Sequence, residues 1–232
     1  ADAEFRAKVK KETGREPAAE PVELASLLAP PEPVPAESRA SLLRADLAVV
    51  GFEGREEDLN DFRRWCLNTG ENGGEDAPVR LLIGPGGQGK TRLASKLACE
   101  LLDEGWVSGW FRRDHLTEPD YRLLSGNRLP LLLIVDYAEN RPDHVRKLIM
   151  AAAAHQGAPL RVLLIARSTG EWWPDLVDHR LEGEARRLAR HARVHPLGVL
   201  VERVEDRPAA FGRAVRELSA RVPESWAAGD PD

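Results

Sequence analysis

The sequence predicts an α/β fold of three layers around a five-stranded parallel sheet. Three observations carry this reading. Short, nearly unbroken apolar runs alternate with longer segments of helical periodicity, and such alternation builds a parallel sheet with helices on both faces. A glycine-rich octapeptide, Gly84 to Thr91, joins the first short apolar run to the first strong helix. The run Leu131-Leu132-Leu133-Ile134-Val135 closes on an acid, Asp136.

Taken in order, residues 1–41 stand apart. Pro17, Pro21, Pro30, Pro31, Pro33 and Pro35 crowd a stretch otherwise rich in Ala and Glu. Proline fixes φ and removes a donor, so this segment is expected to be a stiff linker sustaining neither helix nor sheet ladder. The folded domain is expected over 42–200. Leu47 to Gly51 is apolar and ends at glycine, and Glu53 to Glu57 leads into a helix with Leu59, Phe62 and Leu67 on compatible spacing. Asn68 to Pro78 reads as a Gly/Asn/Asp-rich loop. The five strands are placed at Leu81–Ile83, Trp106–Phe111, Leu129–Val135, Val162–Ala166 and within Val194–Leu200. After the octapeptide, Leu93, Leu97 and Leu101 recur at fours, and Gly105 is placed to stop that helix. Pro142 opens a helix reaching about His155, and Ala185 to Ala192 also reads as helical. Phe211, Val215 and Leu218 give Arg207 to Val222 helical spacing, the expected start of a helical subdomain over 201–232.

The net charge of −5 and a pI near 5.8 argue against a general nucleic-acid-binding surface. No apolar run approaches a membrane span, and the charged first residues do not form a signal peptide, so a cytoplasmic protein is expected. Cys66 and Cys99 lack metal-ligand spacing and read as reduced thiols, with Cys99 expected on a buried helix face. The chain starts at Ala1-Asp2 without a methionine and is read as a fragment of a longer protein.

The octapeptide Gly84-Pro85-Gly86-Gly87-Gln88-Gly89-Lys90-Thr91 fits G-x-x-x-x-G-K-[ST] with no mismatch. Its strand-before, helix-after context is the one this P-loop requires. The glycines let backbone N–H groups converge on phosphate oxygens, and the helix N-terminus adds a favourable dipole. Lys90 is placed to neutralise β- and γ-phosphates, and the Thr91 hydroxyl to ligate magnesium. The candidate ATP/ADP contacts on this side are therefore Gly84 to Thr91 and the following Arg92. An acid ending a buried strand is costly unless it meets a cation or hydrogen bonds. Asp136 is accordingly the candidate Walker B aspartate and, with Thr91, the candidate Mg2+ pair. Glu139 follows on the same loop, within reach of an attacking water, where a positioned carboxylate base contributes about 10²–10⁴ in rate. A solvated loop acid is its alternative. Arg167 closes the strand Val162–Ala166, at the strand ends where ligands gather in parallel sheets. It is placed to sense a γ-phosphate, with a surface salt bridge as the alternative. Glu139, Lys90 and Arg167 form the candidate catalytic set. Trp172 and Trp173 follow on the next loop, where they suit either packing or docking.

Together these parts resemble the STAND class of signal-transduction ATPases, whose members include NB-ARC and NACHT domains, in the ASCE branch with an AAA+-like core. Val50-Gly51-Phe52-Glu53-Gly54-Arg55-Glu56 resembles the family's opening segment, which packs on adenine largely through backbone. The resemblance thus implies Phe52, Gly54 and Arg55 on the adenine side. Asp136-Tyr137-Ala138-Glu139 resembles the NACHT Walker B pattern, with Asn140 replacing its last acid and Tyr137 larger than the usual small residue. Arg161 to Arg167 resembles the sensor-1 strand, and His195-Pro196-Leu197 the stretch closing the core. The resemblance covers about residues 42–200 and is closest to bacterial members, which join this core to effector and sensor modules. It implies a slow ATPase switch, closed with ADP, open with ATP, and self-associating through its core when ATP-bound. An AAA+ type motor or loader acting on DNA or protein is the competing reading. That reading needs an arginine finger in trans, for which Arg186, Arg187, Arg190 and Arg193 are placed, though they equally suit a solvated helix face. GTP is disfavoured, because no Asn-Lys-x-Asp follows the Walker B strand.

Overall fold

The computed structural model describes Leu24 and residues 27–29, 50–68, 77–111, 118–200 and 204–222. Leu47 to Val49 and most of the Asn68–Pro78 loop lie outside these residues. The strands are β1 (Leu28–Ala29), β2 (Val79–Ile83), β3 (Val107–Phe111), β4 (Leu131–Val135), β5 (Leu160–Ala166) and β6 (Arg193–Pro196). Among them run helices α1 (Glu56–Leu67), α2 (Lys90–Asp103), α3 (Glu118–Ser125), α4 (Pro142–Ala154), α5 (Trp172–Asp175), α6 (Gly183–Arg190) and α7 (Arg207–Arg221).

The sheet order is β1-β3-β4-β5-β2-β6. β2 through β6 are the five parallel strands expected, with Ile83 opposite Ala166 and Pro196, and Val135 opposite Leu164. Strand alternation sends Leu81, Leu131, Leu133, Val162 and Leu164 to one core, against α3, α4 and α6. Leu82, Leu132, Ile134, Leu163 and Ile165 face the other core, against α1 and α2. Each such leucine contributes about 1.5–3 kcal/mol on burial, so a one-residue register slip would move every strand side chain to the wrong layer. The order has one consequence for function. β5 separates β2 from β4, so the ends of the P-loop strand, the Arg167 strand and the Asp136 strand lie in a row.

Three expectations need correction. Leu28 and Ala29, within the 1–41 stretch, do enter the sheet: Leu28 pairs with Phe111 and Ala29 with Trp110, antiparallel, and Leu24 and Leu27 are buried, while the rest of the stretch lies outside the described residues. The interval between Pro21 and Pro30 is free of proline and carries those leucines, and an edge strand needs partners on one side only. Gly109 permits the approach, since a Cβ there would stand 2.5 Å from the Ala29 carbonyl oxygen. The tryptophan pair is helical rather than in a loop, because Pro174 falls in the first turn of α5, where its missing N–H is tolerated. A π turn over Leu176–Arg180 continues it. Cys99 is only half-buried, one position off the inward stripe of Leu97, Ala98 and Leu101, whereas Cys66 is fully buried. The last strand stops at Pro196, after which Leu197 still donates to the Ile83 carbonyl at 2.7 Å. No helix among the described residues is long and apolar enough to cross a membrane.

Candidate functional site

β2 ends at Ile83 and the chain turns at Gly84. A side chain is excluded there: a Cβ would stand 2.8 Å from the Leu197 carbonyl oxygen, at a φ of 155°. Around Gly86, Gly87 and Gly89 nothing lies within 4 Å of where a Cβ would project, so the loop leaves an open cradle. α2 begins at Lys90, and no side chain caps the N–H groups of its first turn. Such uncapped donors favour an anion. The Lys90 Nζ donates to the carbonyls of Gly84 at 2.6 Å and Pro85 at 2.8 Å, which holds the ammonium over the loop. Burial lowers the Lys90 pKa, Asp136 and Glu139 oppose that shift, and Arg167 adds to it.

The Thr91 hydroxyl donates to Asp136 Oδ2 at 3.3 Å, joining the P-loop to the end of β4. Asp136 Oδ1 accepts from the Tyr137 N–H at 2.9 Å, and the Asp136 carbonyl accepts from Arg141 Nη2 at 3.0 Å. Tyr137 has φ 53° and ψ 47°, left-handed backbone that costs a non-glycine residue about 1–2 kcal/mol. That turn folds Ala138–Asn140 into a 3-10 turn and brings Glu139 back towards β5. Glu139 Oε1 accepts from the Arg167 N–H at 3.2 Å, while Oε2 is buried without a hydrogen-bond partner. The Arg167 carbonyl accepts from the Gly84 N–H at 3.2 Å. One residue's backbone thereby ties the P-loop to the acid, and the exposed Arg167 side chain lines the same cleft.

This cleft has a volume of about 320 Å³ and is walled by Gly86 to Arg92, Asp136, Tyr137, Glu139 and Arg167. A second hollow of about 400 Å³ shares Tyr137, Glu139 and Arg167 and adds Asn140, Ser168 and Trp172. Trp173 is buried in the core and meets Trp172 edge-on at 5.5 Å, and the Trp172 indole donates to the Ser168 carbonyl at 2.9 Å.

The opening segment lies along the flank of the P-loop. Phe52 is half-buried against the α1/α2 core, and Gly54 meets Leu200. Arg55 is 8% exposed. Its guanidinium donates to the carbonyls of Gln88 at 3.2 Å and Gly198 at 2.5 Å, and pairs with Asp58 at 3.4 Å. Arg92 donates to the Val50 carbonyl at 2.6 Å. His195 contacts Asp58 at 2.7 Å and packs on Phe62, so the end of β6 is fixed to α1. On α6, Arg187 pairs with Glu184 and Arg190 with Asp178, while Arg186 donates to the Leu181 carbonyl. Arg193 pairs with Asp61.

Sequence reasoning missed Arg141, Asp58, Gly198 and Glu217. Asp58, three positions after Arg55 at the start of α1, was legible in principle. Glu217 carried no signal, since it meets Gly51 across 166 positions.

The donor set fits a phosphate-bound magnesium. Among the described residues no group of three or more His, Cys, Asp or Glu could hold a metal ion. Magnesium in nucleotide sites takes only one or two protein carboxylates beside substrate phosphates, and the Thr91–Asp136 pair supplies that kind of set.

Residues 66–178 match the family model described as Novel STAND NTPase 5. That span holds the P-loop, Asp136, Glu139 and Arg167 but not the Val50–Glu56 segment. The chain matches no curated protein by sequence. Among solved structures, Cdc6p from Pyrobaculum aerophilum is similar over 72% of this chain and 51% of its own length, at 18% identity and a TM-score of 0.49. PCH-2 of C. elegans is similar over 81% of this chain and 53% of its own, at 14% identity and a TM-score of 0.41. The chain spans about half the length of both.

Proposed function

We propose that this chain, which belongs to the STAND class of P-loop NTPases, binds ATP with magnesium in the cleft and works as a slowly hydrolysing regulatory switch. The observation that carries the reading is the meeting of Thr91, Asp136, Glu139 and Arg167 around one uncapped, glycine-lined loop. Magnesium ATP, when bound, supplies a γ-phosphoryl group whose charge the metal partly neutralises. The loop N–H groups and Lys90 would hold the phosphates, and Thr91 and Asp136 would hold the metal. Glu139 lines the cleft with its carboxylate held by the Arg167 N–H, and would take a proton from the attacking water as general base.

Arg167 gives the switch its bias. Its side chain meets a γ-phosphate and loses that contact with a diphosphate. A ligand shifts a conformational equilibrium only by its differential affinity for the two states, and this contact supplies such a difference. ADP then keeps the core closed, and ATP favours an open form that self-associates through the ATPase core. Effector and sensor modules of the whole protein are the partners that the switch serves. Phe52, Gly54 and Arg55 form the adenine side. The α6 arginines have partners within their own subunit, which favours the switch over a ring motor that needs a free arginine finger.

Glu139→Gln tests the reading. Calorimetric ATP affinity should stay within about twofold of wild type, while phosphate release falls about 10²–10⁴-fold. Unchanged release would give the water to another residue, and a wild-type chain that ignores ATP would sink the proposal.

A further inference from the structure

We infer that Glu217 is a positioning residue for the base end of the cleft, clamping the Val50–Gly51 peptide from α7 while Arg92 holds it from α2. The inference rests on the nucleotide reading above and concerns how that same site is regulated.

The geometry is simple. A trans peptide points its C=O and N–H in opposite directions, and no cis peptide occurs among the described residues. The Val50 carbonyl accepts from Arg92 Nη2 at 2.6 Å. The Gly51 N–H donates to Glu217 Oε2 at 2.5 Å. The peptide is therefore gripped from two sides. One grip comes from the residue directly after Lys90 and Thr91, and the other from the last described helix. Burial lowers the Arg92 pKa, with Cys99 and Glu217 opposing, so the two gripping charges also sense each other.

The second grip matters because of how α7 is held. None of its side chains is buried, and Phe211 remains 72% exposed. Apolar packing therefore does not locate this helix. Polar contacts to the opening segment do: Glu217 to Gly51, and Arg213 to Glu53 at 3.3 Å. A charge-assisted bond to a backbone N–H is among the stronger hydrogen bonds available to such an interface. Displacing α7 frees one side of the Val50–Gly51 peptide, and with it the segment to which the nucleotide reading gives the base. Base affinity and α7 placement are thus linked, while the phosphate end is left to the sheet.

Competition binding on the full chain separates these ends, with ATP and inorganic tripolyphosphate as the two ligands. Tripolyphosphate occupies the P-loop without a base. Glu217→Ala should weaken ATP about fivefold to tenfold and leave tripolyphosphate within about twofold. Glu217→Gln keeps an oxygen acceptor for the Gly51 N–H and should recover most of the ATP affinity. Arg213→Ala should weaken ATP in the same direction by less. ATP binding by Glu217→Ala equal to wild type overturns the inference, and so does an equal loss of both ligands, which marks general damage. Failure of the wild type to bind either ligand instead overturns the nucleotide reading, and the inference with it.

Discussion

Around the P-loop, each principal group hangs from the carboxyl end of a buried strand; in the Val50–Arg55 segment, none does. Ile83, Val135 and Ala166 are the last residues of β2, β4 and β5, and the P-loop, Asp136 and Arg167 follow directly. The Val50–Arg55 segment precedes the parallel strands and is held by side chains on backbone: Arg92 on Val50, Arg55 on Gln88 and Gly198, Glu217 on Gly51. Strands locked by two cores keep their ends in register to a fraction of an ångström, which catalysis requires. Side-chain clamps can let go one at a time. The proposed chemistry thus sits on the rigid strands, and the proposed conformational response on the clamped segment.

The sharpest way to break this comparison is Lys90→Ala. Among the described residues, the Lys90 ammonium bonds only the carbonyls of Gly84, which is buried, and Pro85, which is exposed. Removing it should lower ATP affinity at least about 100-fold, the scale of two lost charge-assisted bonds. Urea unfolding should change less than in Arg55→Ala, by about 1 kcal/mol, since the Gly84 carbonyl alone loses a part-buried partner. A larger fall in stability would mean that the phosphate end is not independent of the scaffold.

Arg55→Ala probes the other end and should behave oppositely. Its buried guanidinium satisfies two carbonyls and one carboxylate. Leaving such acceptors unpaired costs about 1–3 kcal/mol, measurable as a lower urea midpoint, with a secondary loss of ATP affinity. Arg55→Lys should not restore it, because a single ammonium cannot span the positions a planar fork reaches. Intact stability with lost affinity would make Arg55 a ligand contact rather than a brace.

The same division governs what the sequence discloses. The P-loop, the Leu131–Asp136 run and Arg167 are legible because strand, turn and helix are contiguous there, and the site inherits their order. The return of Glu139 to β5 is not, because it depends on Tyr137 entering left-handed backbone that an aromatic residue rarely adopts. Leu28–Ala29 was hidden by prolines on either side, although the leucines that anchor it were in view. The Gly51–Glu217 contact joins an apolar turn to an unremarkable helical glutamate, and no local pattern links them. Local chemistry is written locally, whereas braces between distant segments are not.

The smallest effect expected concerns the two cysteines, one on α1 and one on α2. Burial pushes the Cys66 thiol from 9.0 up to about 12, against the pull of Arg161 and Arg80. Folding therefore favours the protonated thiol. That contribution is fully present below pH 9 and fades as pH rises from 9 towards 12, where the unfolded chain has already lost the proton. Cys66 lies on α1, whose end is held by Arg161 donating to the Trp65 carbonyl at 3.0 Å and the Asn68 carbonyl at 3.1 Å. Cys99 lies on α2, half-buried. At pH 8 iodoacetamide should modify Cys99 in the native protein and reach Cys66 only when α1 opens, as read by peptide mass spectrometry. Arg55→Ala, which loosens α1, should accelerate Cys66 modification, and Lys90→Ala should not. Equal acceleration by both variants would erase the distinction between a rigid P-loop and a clamped Val50–Arg55 segment.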